Sequence, residues 1–256
     1  MHSINFIGLW TIFAREIHRT RQVLFQAVLS PTLSTVLYFV VFGAAIGTNV
    51  FVLENISYGQ FIVPGLIVMA VITNALSASS SGIYFPRFTG TITDLIVAPL
   101  SYKEIVLGYA LGGTVRALFI GVLVFISSLF FIDLTISHPF FSLLFIVLSA
   151  FVFSLLGIVI GIWAKDFERL ALVPLIIVTP LSFLGGVFYT LEMLPPLWQK
   201  ITLFNPIYYM VDGFRYTLFG SSTTDPFLSL CVLFGIIFVL WFLLAYMFSK
   251  GYGMKA

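Results

Sequence analysis

Residues 22–53 and 55–86 contain no Asp, Glu, Lys or Arg, and neither do 134–164, 170–191 and 226–249. A helix rising 1.5 Å per residue crosses the ~30 Å hydrocarbon core of a bilayer in about 20 apolar residues. These runs are long enough, and they lack the ~10-residue alternating segments of an outer-membrane barrel. The expected fold is therefore an all-α integral membrane protein, a single transmembrane domain over residues 1–256. Six spans are placed at 24–46, 61–83, 105–132, 140–163, 170–189 and 227–249. Only 9% of residues are charged against 60% hydrophobic, far below the ~25% charged of a soluble domain.

That composition excludes several functions. A net charge of +2 with no Lys/Arg run leaves no footprint for nucleic acid. A single cysteine, Cys231, rules out an internal disulfide framework and a cysteine-cluster metal site. His2, His18 and His138 stand far apart and lack a second ligand at helical spacing. None of Lys103, Lys165, Lys200, Lys250 or Lys255 follows a glycine, so the phosphate-cradling Gly-Lys of a Walker A loop is missing. The chain is expected to bind no cofactor and to hydrolyse no ATP itself. The spans hold no interior Asp or Glu of the kind a proton- or sodium-coupled carrier uses. Ser77, Ser79, Ser80 and Ser81 have no base in their span, so they read as small residues for helix packing. Gly43/Gly47, Gly108/Gly112 and Gly157/Gly161 add close-approach pairs at helical spacing.

Orientation follows from the basic residues. Six spans put both termini on one side with Arg15, Arg19, Arg21, Arg87, Lys103, Lys165, Arg169, Lys250 and Lys255; the other side keeps Lys200 and Arg215. Both termini are expected in the cytoplasm. The stretch 190–225 is apolar in patches, but Pro195, Pro196, Pro206, Asp212 and Arg215 break it. A seventh span would carry Lys250 and Lys255 outside, so a broken, partly re-entrant external segment is the preferred reading. Arg116 alone lies within a span. Counting ~20 residues back from Ile132 starts the hydrocarbon core at Gly113, which leaves Arg116 within a turn of the inner boundary. There it snorkels or pairs structurally, or else it contacts substrate or a lipid headgroup.

Residues 3–19, within an interface segment at 1–23, predict an amphipathic helix lying in the headgroup plane. Phe6, Ile7, Leu9, Trp10, Phe13, Ala14 and Ile17 share one face; Asn5, Thr11, Arg15, Glu16, His18 and Arg19 take the other, with Ile12 the exception. It is an anchor or a lever. The loop 84–100 is too apolar for a solvated linker: Phe88, Ile92, Leu95 and Ile96 recur at helical spacing, predicting a short helix from Thr91 to Ala98, ended before Pro99. One face must be buried on headgroups or on a docking protein.

This loop resembles the coupling segment of the membrane subunits of ABC-2-type exporters, with Arg87, then Gly90-Thr91, Asp94-Leu95 and Pro99 in order. A second likeness follows the fifth span: Gly185-Gly186, Leu194-Pro195-Pro196, Pro206-Ile207-Tyr208-Tyr209 and Arg215. Length, span number and the missing ATPase agree, so the resemblance covers essentially the whole chain. It implies an export permease of the bacterial inner membrane, multi-pass and embedded among membrane lipids. It also implies a homodimer with a second copy and two separate ATPase subunits that bind the ATP. Arg87, Gly90, Thr91, Asp94, Leu95 and Pro99 would couple to the ATPase. The segment 190–225 would gate the exit, with Pro174, Pro180, Gly185, Gly186, Pro195, Pro196, Pro206 and Arg215 as bend points and gate residues. Ordinary helix packing is the plain alternative for the prolines. A non-transporting membrane scaffold is the competing function, and a secondary carrier the third. Phe- and Leu-rich spans suggest an amphipathic or lipid-like cargo.

Overall fold

The computed structural model describes residues 5–23, 25, 29, 33–34, 36–38, 41, 51–53, 56–132 and 134–252. The expected first span, 24–46, and the Gly43/Gly47 pair lie largely outside the described residues. Helix α1 covers Phe6–Gln22, capped by the Asn5 side chain, which accepts from the Gly8 N–H. A small antiparallel ribbon follows, β1 (Phe51–Leu53) on β2 (Ile56–Ser57), which the sequence reading did not include. Then come α2 (Tyr58–Phe88), α3 (Ile92–Val97), α4 (Tyr102–Ser128) and α5 (Pro139–Trp163). The chain continues through α6 (Phe167–Val173), a π turn (Pro174–Val178) and α7 (Thr179–Phe183). A 3₁₀ turn (Leu191–Met193) precedes α8 (Pro196–Leu203), α9 (Pro206–Phe219) and α10 (Pro226–Ser249).

Four of these helices, α2, α4, α5 and α10, are long and apolar enough to cross a membrane. They coincide with four expected spans to within a few residues. The expected fifth span, 170–189, departs from a plain helix. It is helical over 167–183, but through a π turn in which the Thr179 N–H reaches back to the Pro174 carbonyl, five residues away. From Leu184 the backbone turns out of the helix, with Gly186 at φ +73°, a conformation open mainly to glycine.

Local chemistry sets the helix starts. Pro139, Pro196, Pro206 and Pro226 each sit in the first turn of their helix, where a missing N–H costs nothing. Asn205 and Asp225 cap two of them by accepting from the N–H groups of Ile207 (3.0 Å) and Phe227 (2.8 Å). The bend residues Pro196 and Pro206 of the sequence reading are thus helix initiators. Helix α2 begins with the reciprocal Ser57–Gln60 box.

The bundle closes where side chains are smallest. A methyl on Gly157 would come within 2.6 Å of the Leu76 carbonyl oxygen, and one on Gly161 within 2.6 Å of that of Ser80. These contacts press α5 against α2 at the serine run, which is the packing role expected for it. Lipid tails are as apolar as leucine, so such close contacts hold the helices together where hydrophobic transfer does not. Thr114 donates to the Ser154 hydroxyl (3.3 Å) between α4 and α5. Helix α10 packs with few of its residues buried; Phe234, Phe238 and Phe242 form an exposed i, i+4 row.

Candidate functional site: the α1–α3–α4 unit and the Asp212–Arg215 cluster

At one end of α2 the chain turns on Gly90 (φ +77°) into α3. The Arg87 guanidinium donates to the carbonyls of Gly161 (2.6 Å), Ile162 (2.7 Å) and Ala164 (3.2 Å). It therefore closes the C-terminus of α5, whose last carbonyls lack intrahelical donors, and fixes where the loop begins. Thr91 reaches the Thr89 hydroxyl (3.1 Å), and Thr93 donates to the Gly90 carbonyl (2.8 Å). On α3, Ile92 is buried and Leu95 packs half-buried on the core. Asp94 and Pro99 are exposed. Phe88 and Val97 are 76% and 86% exposed. The expected apolar face therefore divides: Ile92 and Leu95 seat the helix, while Phe88 points outward with Val97.

Helix α1 has three sides. Gly8, Leu9, Ile12, Glu16 and Arg19 meet the bundle; Phe6, Ile7 and Trp10 are exposed apolar; Thr11, Arg15 and His18 are exposed polar. Ile12, the exception to the two-faced reading, is the most buried apolar residue of the helix, because the stripe that docks is the polar one. It docks along α4 in a regular register. The Asn5 N–H donates to Glu104 Oε1 (2.6 Å). A methyl on Gly108 would meet Ile12 Cβ at 2.8 Å, and one on Gly112 would meet Glu16 Cβ at 2.5 Å. Glu104, Gly108 and Gly112 thus form an i, i+4 stripe, and Arg116 is its next position. The Gly108/Gly112 pair serves the docking of α1.

Two residues fasten the unit. Glu104, 3% exposed, accepts from the Ser101 N–H through Oε2 (2.6 Å) while holding Asn5 through Oε1. It ties the end of the α3 loop, the start of α4 and the start of α1 at one carboxylate. Leu100 completes the contact by lying against Gly8. Glu16, 4% exposed, pairs with Arg19 at 2.7 Å, and Arg19 also donates to the Ala78 carbonyl of α2 (2.6 Å). Burial pushes the Glu16 carboxyl above its usual range, while Arg19, Arg15 and Arg116 pull it partly back.

Between α7 and α10 a second polar cluster forms. Arg215 is buried, with its guanidinium 3.9 Å from the Phe61 ring centroid and donating to the Gly186 carbonyl (2.8 Å). Its partner Asp212 stands at 4.0 Å and accepts from the N–H groups of Thr223 (3.2 Å) and Thr224 (2.8 Å). Phe61, Thr190, Glu192 and Ser221–Thr223 complete a polar cavity of about 250 Å³ around the pair. Gly185 lies against Ile207, and Val187 against Gly65 of α2. The glycines, Pro206 and Arg215 therefore meet in one place, whereas Pro174 and Pro180 lie in the π-turn region before it.

Of the residues singled out from the sequence, Arg87 through Pro99 come together around α3, whereas Arg116 stands apart from them as the next position of the α4 stripe against α1. Glu104 and Glu16 were missed as site residues. The Ser101-x-x-Glu104 spacing was a readable capping box; the contact to Asn5 had no local signal.

Residues 8–219 match the model of the ABC-2 type transporter family. The chain is 40% identical over 256 residues, all of both chains, to the inner membrane transport permease YadH of Escherichia coli (strain K12). It is 28% identical over 209 residues to the putative transport permease ycf38 of Cyanophora paradoxa, covering 76% of this chain and 69% of that one. Nodulation protein J of Rhizobium leguminosarum bv. viciae is 24% identical over 242 residues, 92% and 88% of the two chains. With the family's match spanning most of the chain and a full-length relative at this identity, the protein is a member of the ABC-2 type transporter family.

Proposed function

We propose that this chain is the membrane-spanning permease of an ATP-driven exporter in a bacterial inner membrane, and that ATP is hydrolysed by a separate partner subunit. The observation that carries the reading is the inner unit. Helix α3 presents Asp94 and Val97 outward, while Leu95, Leu100 and Glu104 join it to α1 and α4. A partner pressing on α3 moves three helices together. Arg87, Gly90 and Thr91 shape and anchor that surface, Asp94 and Leu95 form and seat it, and Pro99 ends it. The relative named an inner membrane transport permease supports the membrane and the role.

In this reading the six spans hold with both termini cytoplasmic, α1 belongs to the inner headgroup level, and two copies pair with two ATPase subunits. The exposed phenylalanine row of α10 is available to lipid or to the second copy. The outer segment 190–225 acts as the gate, with the π turn, Gly185 and Gly186 as its bend and Pro195, Pro196 and Pro206 starting its rigid pieces. The buried Asp212–Arg215 pair holds it shut over Phe61. An amphipathic cargo fits the apolar groove of about 250 Å³ lined by Ile67, Leu118, Val122, Phe125 and Leu143.

The test is co-purification with an ATP-binding-cassette subunit, together with coupled transport in vesicles. Val97→Asp and Asp94→Lys change exposed positions, so the fold is retained. Leu95→Asp adds a change at a seated one. Loss of partner binding and transport with normal membrane insertion is expected. Unchanged partner binding and transport in all three would remove α3 from the coupling path.

A further inference from the structure

We propose that the α4 stripe ends in a binding site for the phosphate of an anionic lipid, formed by Arg15, Arg19 and Arg116 around the buried Glu16. The register gives the first reason. Ile12 sits on Gly108 and Glu16 on Gly112, and the same four-residue step brings Arg116 opposite the last turn of α1, where Arg19 lies. Charge is the second. Three guanidiniums face one carboxylate, an excess of two positive charges (3 − 1). The carboxylate is already engaged by Arg19 at 2.7 Å. Among the described residues Arg116 has no ion pair within 4.0 Å, and its buried Nε has no hydrogen-bond partner. Tyr109, 1% exposed, packs at the same spot against Gly82 beside Arg19 and Glu16, and its hydroxyl is also unpartnered. A partly buried cation whose neighbouring carboxylate is already paired with another arginine is costly, and a phosphate oxygen pair matches the guanidinium fork.

The source of the phosphate follows from what lies beside it. Two to four turns back along the same helix, Phe6, Ile7 and Trp10 are exposed at 73%, 81% and 64%, an apolar side suited to holding α1 at the lipid surface. Arg19 reaches the Ala78 carbonyl, which lies 20 residues along α2 from Tyr58, a rise that matches the ~30 Å thickness of the hydrocarbon core, so the site lies at headgroup depth. This placement rests on the cytoplasmic topology proposed above. The ligand is therefore an inner-leaflet phospholipid with net negative charge.

The experiment is lipid binding by native mass spectrometry on the purified full chain. Phosphatidylglycerol is compared with phosphatidylcholine and with inorganic phosphate. Wild type is expected to retain phosphatidylglycerol over phosphatidylcholine, and Arg116→Gln and the exposed Arg15→Gln each to weaken that retention about fivefold. Glu16→Gln, which removes the competing carboxylate, is expected to strengthen it. Equal retention of the two lipids, or an unaltered Arg116→Gln, overturns the site. Inorganic phosphate displacing the lipid at millimolar concentration overturns the lipid as its ligand. Topology is read separately, by impermeant maleimide on Thr11→Cys in a Cys231→Ser background. Labelling from outside intact cells overturns the inner-leaflet assignment, while protection supports it.

Discussion

Replacing Glu104 by alanine removes a carboxylate that ties the end of the α3 loop to α1. Its two oxygens each accept a backbone N–H at 2.6 Å, from Asn5 and from Ser101, in a setting where the side chain is 3% exposed. A hydrogen bond to a charged acceptor contributes ~1.5–3 kcal/mol, so two set an upper bound of ~3–6 kcal/mol. Asn5 is only half-buried, and water can replace part of what its amide loses. About 2 kcal/mol is then expected in the local opening of α1, roughly a 30-fold rise in its exchange-competent population at ~1.4 kcal/mol per tenfold. Glutamine keeps one acceptor oxygen and should cost about 1 kcal/mol, roughly fivefold. The assay is amide hydrogen exchange of residues 8–20 in detergent, with residues 145–155 of α5 as the reference. If Glu104→Ala leaves α1 exchange unchanged while the substitution is verified, the carboxylate is not the clasp. If exchange rises equally in α5, the loss is of the whole fold.

Gly157→Ala should destabilise the bundle by about 1–3 kcal/mol, since its methyl meets Leu76 backbone at 2.6 Å. Gly235→Ala, with nothing within 4 Å, should be neutral or stabilising by up to ~1 kcal/mol; thermal unfolding in detergent compares them, and equal loss would refute the packing account. The Glu16 carboxyl is raised above its ordinary 4.5, so its neutral form is the one folding favours. That contribution is complete below the unfolded value and is lost as pH rises through the folded one. Docking of α1 should therefore tighten on acidification toward pH 4.5, and Glu16→Gln should flatten the profile; hydrogen exchange of α1 against pH checks both, and a profile with the opposite slope refutes the sign. Asp212→Asn leaves the Arg215 charge without its 4.0 Å partner and should cost about 3–5 kcal/mol, with an Asp212→Leu, Arg215→Met double variant less damaged than the single; a thermal shift of the opposite order would refute the pairing.

The long helices were legible because the bilayer imposes a coarse rule: charge stops at the headgroups, so Arg87, Lys103 and Lys165 mark ends that the structure places within a few residues. Proline positions carried the 190–225 segment in part. Pro196 and Pro206 signalled a broken stretch, and their place in the first turn of each helix follows from the missing N–H. What escaped the sequence was non-local. The docking stripe of α1 mixes Asn5, Ile12 and Glu16, which no hydrophobic periodicity marks, because its partner is a pair of glycines almost a hundred residues away. Amphipathicity reported correctly which side of α1 is apolar, yet that side is the exposed one. In a membrane protein the apolar face need not be the face that meets protein, and the buried contact is where small and polar residues are concentrated.

That principle also explains how one helix can join the two clusters. Helix α2 is 31 residues long, about 46 Å at 1.5 Å per residue, and its contacts at each end are backbone seats rather than loose side-chain packing. Near one end Arg87 holds the α5 carbonyls, and the Ala78 carbonyl receives Arg19. Near the other, Tyr58 donates to the Phe188 carbonyl (3.1 Å), Phe61 lies under Arg215, and Gly65 meets Val187 so closely that a methyl would stand 2.8 Å from its Cα. A seat that admits no methyl admits no sliding, so an axial shift of α2 must carry residues 186–188 with it or leave that seat. Beside the seat the backbone leaves regular α-helix, with the π turn at Pro174–Val178 and Gly186 at φ +73°. In the proposed function, motion imposed at α3 would therefore pass along α2 to the 186–188 backbone seated against Gly65 at its far end.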